Sequence, residues 1–557
     1  MNKRSQTNRK RASTDALFRV GGWAADKALG SICVFVLLPM GCIALRSFRD
    51  PAGGFSLAQY ALVLRQYKQS LINSIFVGVL SSLLCTAFSV AAALLLSTRR
   101  GWLRTLLMAV LLITMVSPPF VSSLAYIQLY GRRGWITHRL LGLRWNPYNC
   151  WGVIWMQGIS FVPLNAIFLS GILSKLDTGS IRAARDLGAS PGAILRDVVL
   201  PLIRPGILVS LLLSFVRSLA DFGTPVIIGG RFNTIASDIY LQLVGYSNLE
   251  KSSAMNMFLM VPSIAAFFLY RYLMTRSDRL TAARQDRQEA LDLPLSRCGA
   301  LGWLSILASG LFILMMVLQY GCIFISGFLK TTKGVYTFTD QYWQQLLQHD
   351  LAPLGRSVVY ALVVSLAGTF FAMLFAYYMD RRRVRGRSFF DCLVTLPYML
   401  PGTCFGIGYI LAFNAPPLRL TGTALIVIAN MLFKQLPTST KICSAALTQI
   451  PLSQERAARD LGGGQFAVLR DVILPGLRPA FLSSFVYNFS SSMTTAGAII
   501  FLIDPSRKLA VFRLFDAVYT GEYALASLIA SAIIVIVLAV EGAAYLITQK
   551  AGSRHVS

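Results

Sequence analysis

The sequence predicts an all-α integral membrane protein made of about twelve transmembrane helices in two parallel six-helix repeats. Three observations lead to this prediction. Of the 557 residues, 55% are hydrophobic and only 14% are charged. Apolar runs long enough to cross a hydrocarbon core of about 30 Å recur along the whole chain. A polar stretch at 183–205 returns, with few changes, at 457–479.

Twelve apolar runs are interpreted as membrane-spanning helices, six in each half. The first run is preceded by a basic N-terminal segment, but no small-residue cleavage site follows the run, which favours a retained helix over a signal peptide. The runs lie at roughly 28–45, 71–97, 105–129, 150–173, 206–230 and 255–274 in the first half, and at roughly 301–327, 357–379, 388–413, 421–443, 480–503 and 524–548 in the second.

These runs divide the chain into two similar halves joined by a charged linker. Because each half has an even number of predicted spans, both copies of the polar stretch are expected on the same side of the membrane. The expected divisions are a basic cytoplasmic tail at 1–28, a first half at 29–275 with its core at about 70–275, a cytoplasmic linker at 276–299, a second half at 300–549 with its core at about 353–548, and a cytoplasmic tail at 550–557.

The formal net charge of +28 does not indicate a nucleic-acid partner, because its distribution follows the membrane topology. The short loops "STRRGWLR" and "DRRRVRGR" are strongly basic, as the positive-inside rule expects of cytoplasmic loops. With both termini cytoplasmic, one segment disagrees with this rule, since it places Arg132, Arg133, Arg139 and Arg144 outside. The expected surroundings are therefore membrane lipid, with no nucleic acid.

Motifs of catalysis and cofactor binding are absent from the sequence. The nine cysteines form no CxxC pair and the three histidines are far apart, which disfavours a disulfide framework or a histidine-rich metal site. No GxxxxGK[ST] loop occurs, and no HExxH or GxSxG is placed to make a catalytic site. We therefore expect no enzyme activity, no catalytic residue, no metal ligand and no cofactor bound by this chain.

The repeated stretch forms two cassettes, the first at 182–206 and the second at 456–480, which are identical at 16 of 25 positions. This agreement implies an internal duplication. Each cassette predicts a short helix that ends at Gly188 or Gly462, followed by a second short helix that stops at Pro201 or Pro475. The paired alanines would allow the backbone of another protein to approach closely, with Arg and Asp beside them for polar contacts.

Both cassettes resemble the EAA motif, the coupling loop of type I ABC-importer permeases, in which Glu-Ala-Ala is followed by glycine and later by Leu-Pro. In both copies "AARDLG" leads to "LP", although Arg182 and Arg456 replace the motif glutamate. The segments "ADFGTPVIIGG" at 220–230 and "SSMTTAGAIIFLIDP" at 491–505 resemble the fused ferric-iron permeases, within a branch that includes thiamine, phosphonate and polyamine systems.

This resemblance implies that each cassette is a coupling helix seated on a cytoplasmic ATPase. It implies two copies of an ABC ATPase that use ATP and Mg, an extracytoplasmic substrate-binding protein, and a multi-pass location in the bacterial cytoplasmic (inner) membrane. The residues it assigns to ATPase coupling are Arg182, Ala183, Ala184, Arg185, Asp186, Gly188 and Pro201, and then Arg456, Ala457, Ala458, Arg459, Asp460, Gly462 and Pro475.

Ionisable residues inside a span are costly and suggest a function. Arg217 and Asp221 lie four residues apart in the fifth run, so they could pair with each other or line and gate a pathway. The second half has hydroxyl residues in this region, and Ser491, Thr494 and Thr495 complete the candidate path. Glu541 is interpreted as reaching the cytoplasmic interface. The prolines expected to bend helices, unless they only serve packing, are Pro118, Pro119, Pro397 and Pro401.

The whole-chain resemblance favours ferric iron as the substrate of an ATP-driven importer. Thiamine or a phosphonate or phosphorylated organic anion remain alternatives within the same machinery, and the external arginines favour an anion. An ion-coupled secondary transporter is the alternative from another class, since its repeats and polar residues within the membrane would look similar. A channel is disfavoured, because no filter or ring of like charges is found.

Overall fold

The computed structural model describes residues 29–49, 54–98, 101–143, 146–176, 178–281, 294–332, 335–381 and 386–553. The predicted N-terminal tail at 1–28 and the middle half of the predicted linker, 282–293, lie outside the described residues. The last helix of the first half runs on to Thr281, and that of the second half to Ser553, so both helices include the first residues of the predicted linker and C-terminal tail.

The described part of the first half is helical, because its apolar runs satisfy their backbone hydrogen bonds locally, as a lipid environment requires. Its helices are α1 (Leu29–Ser47), α2 (Ala58–Gln66), α3 (Lys68–Thr98), α4 (Trp102–Val116), α5 (Pro119–Tyr130), α6 (Cys150–Ser160), α7 (Val162–Leu173), α8 (Thr178–Asp186), α9 (Pro191–Ala220), α10 (Gly223–Ile228), α11 (Ile235–Tyr246) and α12 (Leu249–Thr281), with a π-helical turn at Trp135–Leu140 after α5.

The second half repeats this order and adds a two-stranded antiparallel hairpin, β1 (Leu329–Thr332) and β2 (Val335–Phe338), in which Leu329 pairs with Phe338. A short 3-10 turn, Leu295–Arg297, lies just before the first helix of the second half, and another, Pro505–Arg507, lies just before its last two helices. Its helices are α13 (Gly299–Ser326), α14 (Gln341–Arg381), α15 (Arg387–Met399), α16 (Gly402–Phe413), α17 (Ala424–Leu447), α18 (Leu452–Asp460), α19 (465–476), α20 (Arg478–Thr494), α21 (Ala510–Thr520) and α22 (Tyr523–Ser553).

The helices confirm an all-α membrane protein, but their count is lower than the twelve spans predicted. Among the described residues, seven helices are long and apolar enough to cross a membrane, and ten spans result if each of three bent pairs is one. The two remaining runs correspond to α17, which polar residues such as Asn430 and Lys434 interrupt, and to α20, which has only 17 residues. Neither is apolar and long enough to count by this measure.

Two of the three bent pairs have a sharp turn at a proline, at the same place in each half. The axes of α4 and α5 differ by 109° across Pro118, and those of α15 and α16 by 114° across Pro401. Pro118 and Pro401 each precede the first residue of the following helix, where proline is tolerated. The predicted bends at Pro118, Pro119 and Pro401 are therefore present, whereas Pro397 lies inside α15.

The internal duplication is confirmed by a polar contact that recurs in both halves. The Asn165 amide on α7 donates to the Ser214 hydroxyl on α9 at 2.5 Å. At the matching positions of the second half the two residue types are exchanged. The Ser439 hydroxyl on α17 donates to the side-chain oxygen of Asn488 on α20 at 2.6 Å. The residue types have been exchanged, but the buried hydrogen bond between the two helices is kept.

The first helix of each half packs against the other half. The Phe35 ring of α1 stacks on Phe433 of α17 at 4.8 Å and lies 5.3 Å from Phe413 of α16. In return α13 packs against α3 and α5, and its Ser326 hydroxyl donates to the Gln128 side chain of α5. The two halves of the sequence are thus interlocked, and their contact includes the space between α9 and α20.

Candidate coupling surface and translocation cavity

Each cassette begins with a short surface helix that a glycine closes. In the first, α8 is followed by Gly188 with φ +85°, and the amides of Gly188 and Ala189 donate to the carbonyls of Arg185 and Ala184 at 2.9 and 3.0 Å. In the second, α18 is followed by Gly462 with φ +87°, and the same two hydrogen bonds recur at 2.9 Å. This left-handed closure satisfies the last carbonyls of the helix and requires a residue that tolerates positive φ.

The second helix of each cassette does not stop at its proline, so the prediction for Pro201 and Pro475 as helix ends is wrong. In the first cassette α9 runs without interruption from Pro191 to Ala220. A π-helical turn at Leu195–Val199 precedes Pro201, and its wider hydrogen-bond spacing accommodates a residue without an N–H group. A matching π-helical turn at Leu469–Ile473 precedes Pro475, and the break comes only at Leu477.

The outer faces of the two cassettes are exposed in the same pattern. Ala184 and Ala458 are half-buried, and the remaining predicted coupling residues are exposed: Arg182, Ala183, Arg185, Asp186, Gly188, Pro201, Arg456, Ala457, Arg459, Asp460, Gly462 and Pro475. Of each alanine pair, therefore, the first member is exposed, while the second is partly buried and packs against the hydrophobic core.

Sequence reasoning missed the most exposed apolar residues of the cassettes. Leu187 and Leu461 occupy the same position in the two copies, just before the closing glycine, and are 88% and 90% exposed. The signal was available, because leucine is identical in both copies of "ARDLG" and the stretch is otherwise polar. We call these two leucines, together with the exposed cassette residues named above, the coupling surface.

A cavity of about 660 Å³ lies between the two halves. The candidate path residues Arg217, Asp221, Ser491 and Thr494 line it, whereas Thr495 is not among the lining residues. Side chains from both halves contribute, and further polar groups of its wall include those of Ser117, Gln157, Tyr398, Thr438, Tyr487, Ser490 and Glu541. Glu541 thus faces this cavity rather than serving only to reach the interface.

The ion pair proposed between Arg217 and Asp221 is not formed. α9 ends at Ala220, and Asp221 is extended with φ −82° and ψ 107°, so the two residues do not share a helix face. The Asp221 carboxylate instead accepts from the amides of Gly223 and Thr224 at 3.0 and 3.2 Å, which caps α10. Its other oxygen accepts from the Gln157 side chain at 3.0 Å.

The walls that the two halves present to the cavity differ in charge. Arg217 is exposed in the cavity, and no carboxylate of the described residues forms an ion pair with it. The residue at the matching position in the second half is Ser491, and Thr495 matches Asp221. The hydroxyls of Thr494 and Thr495, at the end of α20, donate to the backbone carbonyls of Ser490 and Ser491 at 2.9 and 2.5 Å.

Removing the Asp221 carboxylate is expected to destabilise the wall of the cavity. Asp221→Ala would lose the α10 cap and leave the Gln157 amide unpaired, a cost of about 1–3 kcal/mol. Asp221→Asn keeps a capping oxygen and is the matched control, with a smaller loss of stability. Thermal denaturation of the detergent-solubilised chain measures both, and equal melting temperatures for the alanine variant and the unmodified chain would contradict this role.

Within the described residues, no three side chains of the His, Cys, Asp or Glu type come together as a metal site, and the nine cysteines are free thiols. The cavity wall therefore offers scattered hydroxyls, two carboxylates and one guanidinium.

Two interlocked membrane halves with matching surface cassettes and a polar cavity at their contact define a membrane transport subunit. The chain belongs to the family of binding-protein-dependent transport system inner membrane components, whose sequence profile matches residues 62–279 and again residues 368–552. The double match agrees with a fused, two-half permease, as the cassettes indicated.

Similar proteins extend over most of the chain. It is 29% identical over 529 residues to the Ferric transport system permease protein FbpB of Actinobacillus pleuropneumoniae, an alignment of 91% of this chain and 75% of the relative. A Putative ferric transport system permease protein FbpB 1 of Haemophilus influenzae is 30% identical over 505 residues, with 87% and 78% covered. The Molybdenum transport system permease protein ModB of Mycobacterium tuberculosis is 30% identical over 40% of this chain and 83% of its own length.

Proposed function

We propose that this chain is the membrane-spanning subunit of an ATP-driven importer that passes ferric iron by alternating access. In this proposal an extracytoplasmic binding protein delivers the substrate, and two copies of a cytoplasmic ABC ATPase hydrolyse ATP with Mg at the two cassettes. The chain itself then catalyses no reaction. Its place would be the bacterial cytoplasmic membrane, with both termini and both cassettes on the cytoplasmic side.

The observation that carries this proposal is the coupling surface, present twice in the same geometry. A lone exposed loop could merely cover helix ends. Two copies share a helix, a left-handed glycine and an outward leucine at matching positions, which is the arrangement expected of a subunit that meets two copies of one partner. The assignment of ferric iron is supported by the printed names of the relatives that align with most of the chain.

Because α8 leads through its glycine turn into α9, and α18 leads through α19 into α20, a partner that moves α8 and α18 would move the cavity walls. α9 begins inside the first cassette and carries Arg217 to the cavity, and α20 carries Ser491 there from the second. Approach or separation of the two cassettes would therefore open or close the space between α9 and α20. This is a mechanical route from ATP hydrolysis to alternating access.

A second candidate is an anionic substrate, such as a phosphonate or phosphorylated organic anion, carried by the same machinery. The exposed guanidinium of Arg217 in the cavity favours it, because an anion would compensate a charge that is costly in a membrane. Relatives that align with 40% and 35% of this chain are named as molybdenum and sulfate transport system permease proteins. No observation on the cavity favours thiamine, whose cationic ring would face Arg217.

Purification of the chain from its native membrane in mild detergent, followed by mass spectrometry, tests the proposal. We expect a cytoplasmic ATPase at about two copies per chain. Ala183→Glu combined with Ala457→Glu should lose it, since both alanines are exposed on the coupling surface. The control is Gln348→Glu, which places the same acidic residue at an exposed position near the N-terminal end of α14, outside both cassettes. This variant should retain the ATPase.

Uptake measurements separate the remaining alternatives. ATP-dependent uptake of ferric iron that requires both the chain and the ATPase would support the first candidate, and uptake of a phosphonate in place of iron would support the second. Uptake that survives removal of the ATPase and collapses with the ion gradient would establish an ion-coupled secondary transporter and overturn the importer.

A further inference from the structure

One acidic residue of the second coupling helix is buried, although that helix is otherwise a surface element. Glu455 of α18 has a side chain that is 2% exposed, while its neighbours Gln454 and Arg456 are exposed. A carboxylate is rarely buried unless it is paired, because burial removes the water that stabilises its charge. The position therefore needs a partner inside the protein.

That partner is Arg381, the last residue of α14. The Glu455 Oε1 atom lies 3.1 Å from Nε of Arg381, whose side chain is 10% exposed. A terminal nitrogen of the same guanidinium donates to the carbonyls of Leu447 and Ile450 at 2.6 and 2.5 Å, at and just beyond the end of α17. Arg381 thus holds together the ends of α14 and α17 and the buried face of α18.

The same carboxylate also reaches the exposed face of the coupling helix. Its second oxygen, Oε2, lies 3.4 Å from a terminal nitrogen of Arg459, one turn further along α18. Arg459 is 47% exposed and belongs to the coupling surface. Charged contacts therefore lead from Arg459 on the surface of α18 through Glu455 to Arg381, at the ends of α14 and α17.

The first half has no such acid at this position. Glu455 aligns with Ile181 under the shift that relates the two cassettes, and Ile181 is 4% exposed. α3 and α14 both contain a stretch of 31 residues ending at Thr98 and Arg381, respectively, so threonine replaces the arginine as well. An apolar residue fills the place that an ion pair occupies in the second half.

We propose that Glu455 and Arg381 are positioning residues that clamp the second coupling helix to α14 and α17, so that movement of α18 is passed to the cavity. The proposal rests on the proposed function for the identity of the partner that moves α18. The motif glutamate would be expected at position 456, which is Arg456 in this chain, and Glu455 is the residue before it. The Glu455 carboxylate points into the protein and anchors α18 there. The two coupling helices are then held differently, and the second half depends on a charge that the first half lacks.

Two kinds of substitution separate positioning from simple stability. Glu455→Gln removes the charge and leaves Arg381 buried without its counter-ion. Glu455→Ile combined with Arg381→Met removes both charges, so that no unpaired ion remains, and buried pairs replaced in this way often keep their stability. Arg387→Gln is the matched control, because it breaks a neighbouring ion pair with Asp380, 2.8 Å long, that does not involve α18.

The first measurement is hydrogen exchange of the segment 452–460 in the purified chain with whatever subunits accompany it. We expect exchange to be faster by about tenfold in Glu455→Gln and in the double variant, because local opening of α18 no longer breaks the clamp. The control Arg387→Gln should exchange like the unmodified chain. Unchanged exchange in both test variants would overturn the clamp, even if no ATPase accompanies the chain.

The second measurement is ferric iron uptake per ATP hydrolysed, in proteoliposomes containing the complex. The double variant should keep its melting temperature and its bound ATPase but lose at least about fivefold in this ratio, a loss of coupling of about 1 kcal/mol. A double variant with normal stability and a normal ratio would show that the pair only avoids a buried unpaired charge, and would overturn the proposal. Absence of ATPase from the unmodified chain would instead refute the proposed function, and the exchange data would remain decisive for the clamp.

Discussion

Replacing Gly188 and Gly462 together by proline is expected to abolish ATP-driven uptake while the chain still inserts into the membrane. Both glycines close a coupling helix with positive φ, +85° and +87°. Proline fixes φ near −65°, so neither closure can form and the exposed leucine beside each glycine changes direction. We expect uptake to fall by at least about tenfold, which corresponds to about 1.4 kcal/mol or more of lost coupling.

The matched control is the pair Gly188→Asn and Gly462→Asn. Asparagine tolerates the left-handed conformation better than other residues with a side chain, and no atom lies within 4 Å of a Cβ built at either glycine. Uptake should therefore survive in this variant. Uptake is measured at equal amounts of chain in the membrane, and normal uptake by the proline variant would refute the role of the two turns.

Changing Leu187 and Leu461 together to aspartate is expected to release the ATPase. These leucines are 88% and 90% exposed, so their replacement removes almost no packing from the chain itself. Burying a leucine against a partner contributes about 1.5–3 kcal/mol, and a carboxylate in its place adds a desolvation cost. Two such sites together should weaken association by at least about a hundredfold, or about 2.7 kcal/mol.

Co-purification of the ATPase with the aspartate variant measures this effect, and Leu187→Met combined with Leu461→Met serves as its control. Methionine conserves volume and apolar character, so the ATPase should remain bound. The melting temperature of the aspartate variant should stay close to that of the unmodified chain. Retention of a stoichiometric ATPase by the aspartate variant would exclude the leucines from the interface.

Local sequence signals were sufficient for the glycine turns of the two cassettes and insufficient for the cavity. The glycine closures follow from "RDLG" in both copies, since a left-handed residue after a short helix is a local property. The pairing of Arg217 with Asp221 was inferred from helical spacing, and it is wrong because α9 ends one residue before Asp221. The acceptor role of that carboxylate depends on Gln157, sixty-four positions earlier, which no local pattern indicates.

The effect of proline on the helices was predicted correctly at some positions and wrongly at others. Pro118 and Pro401 mark sharp turns, with angles of 109° and 114° between the flanking helices, as expected of proline within a span. Pro201 was expected to end a helix, yet α9 continues through it, because a π-helical turn provides a hydrogen-bond pattern that needs no N–H group there. Whether proline ends, bends or merely joins a helix depends on how neighbouring helices satisfy the backbone.

A duplicated, all-α membrane protein with two matching cassettes could be predicted from the sequence alone, because hydrophobic run length and repeated motifs are properties of contiguous residues. The packing of the helices was needed to show that α1 and α13 cross to the opposite halves, that Glu541 faces the cavity and that Glu455 is paired with Arg381. These features depend on contacts between residues far apart in the chain, where the burial of a charge is settled by whichever partner the packing of the helices brings within reach.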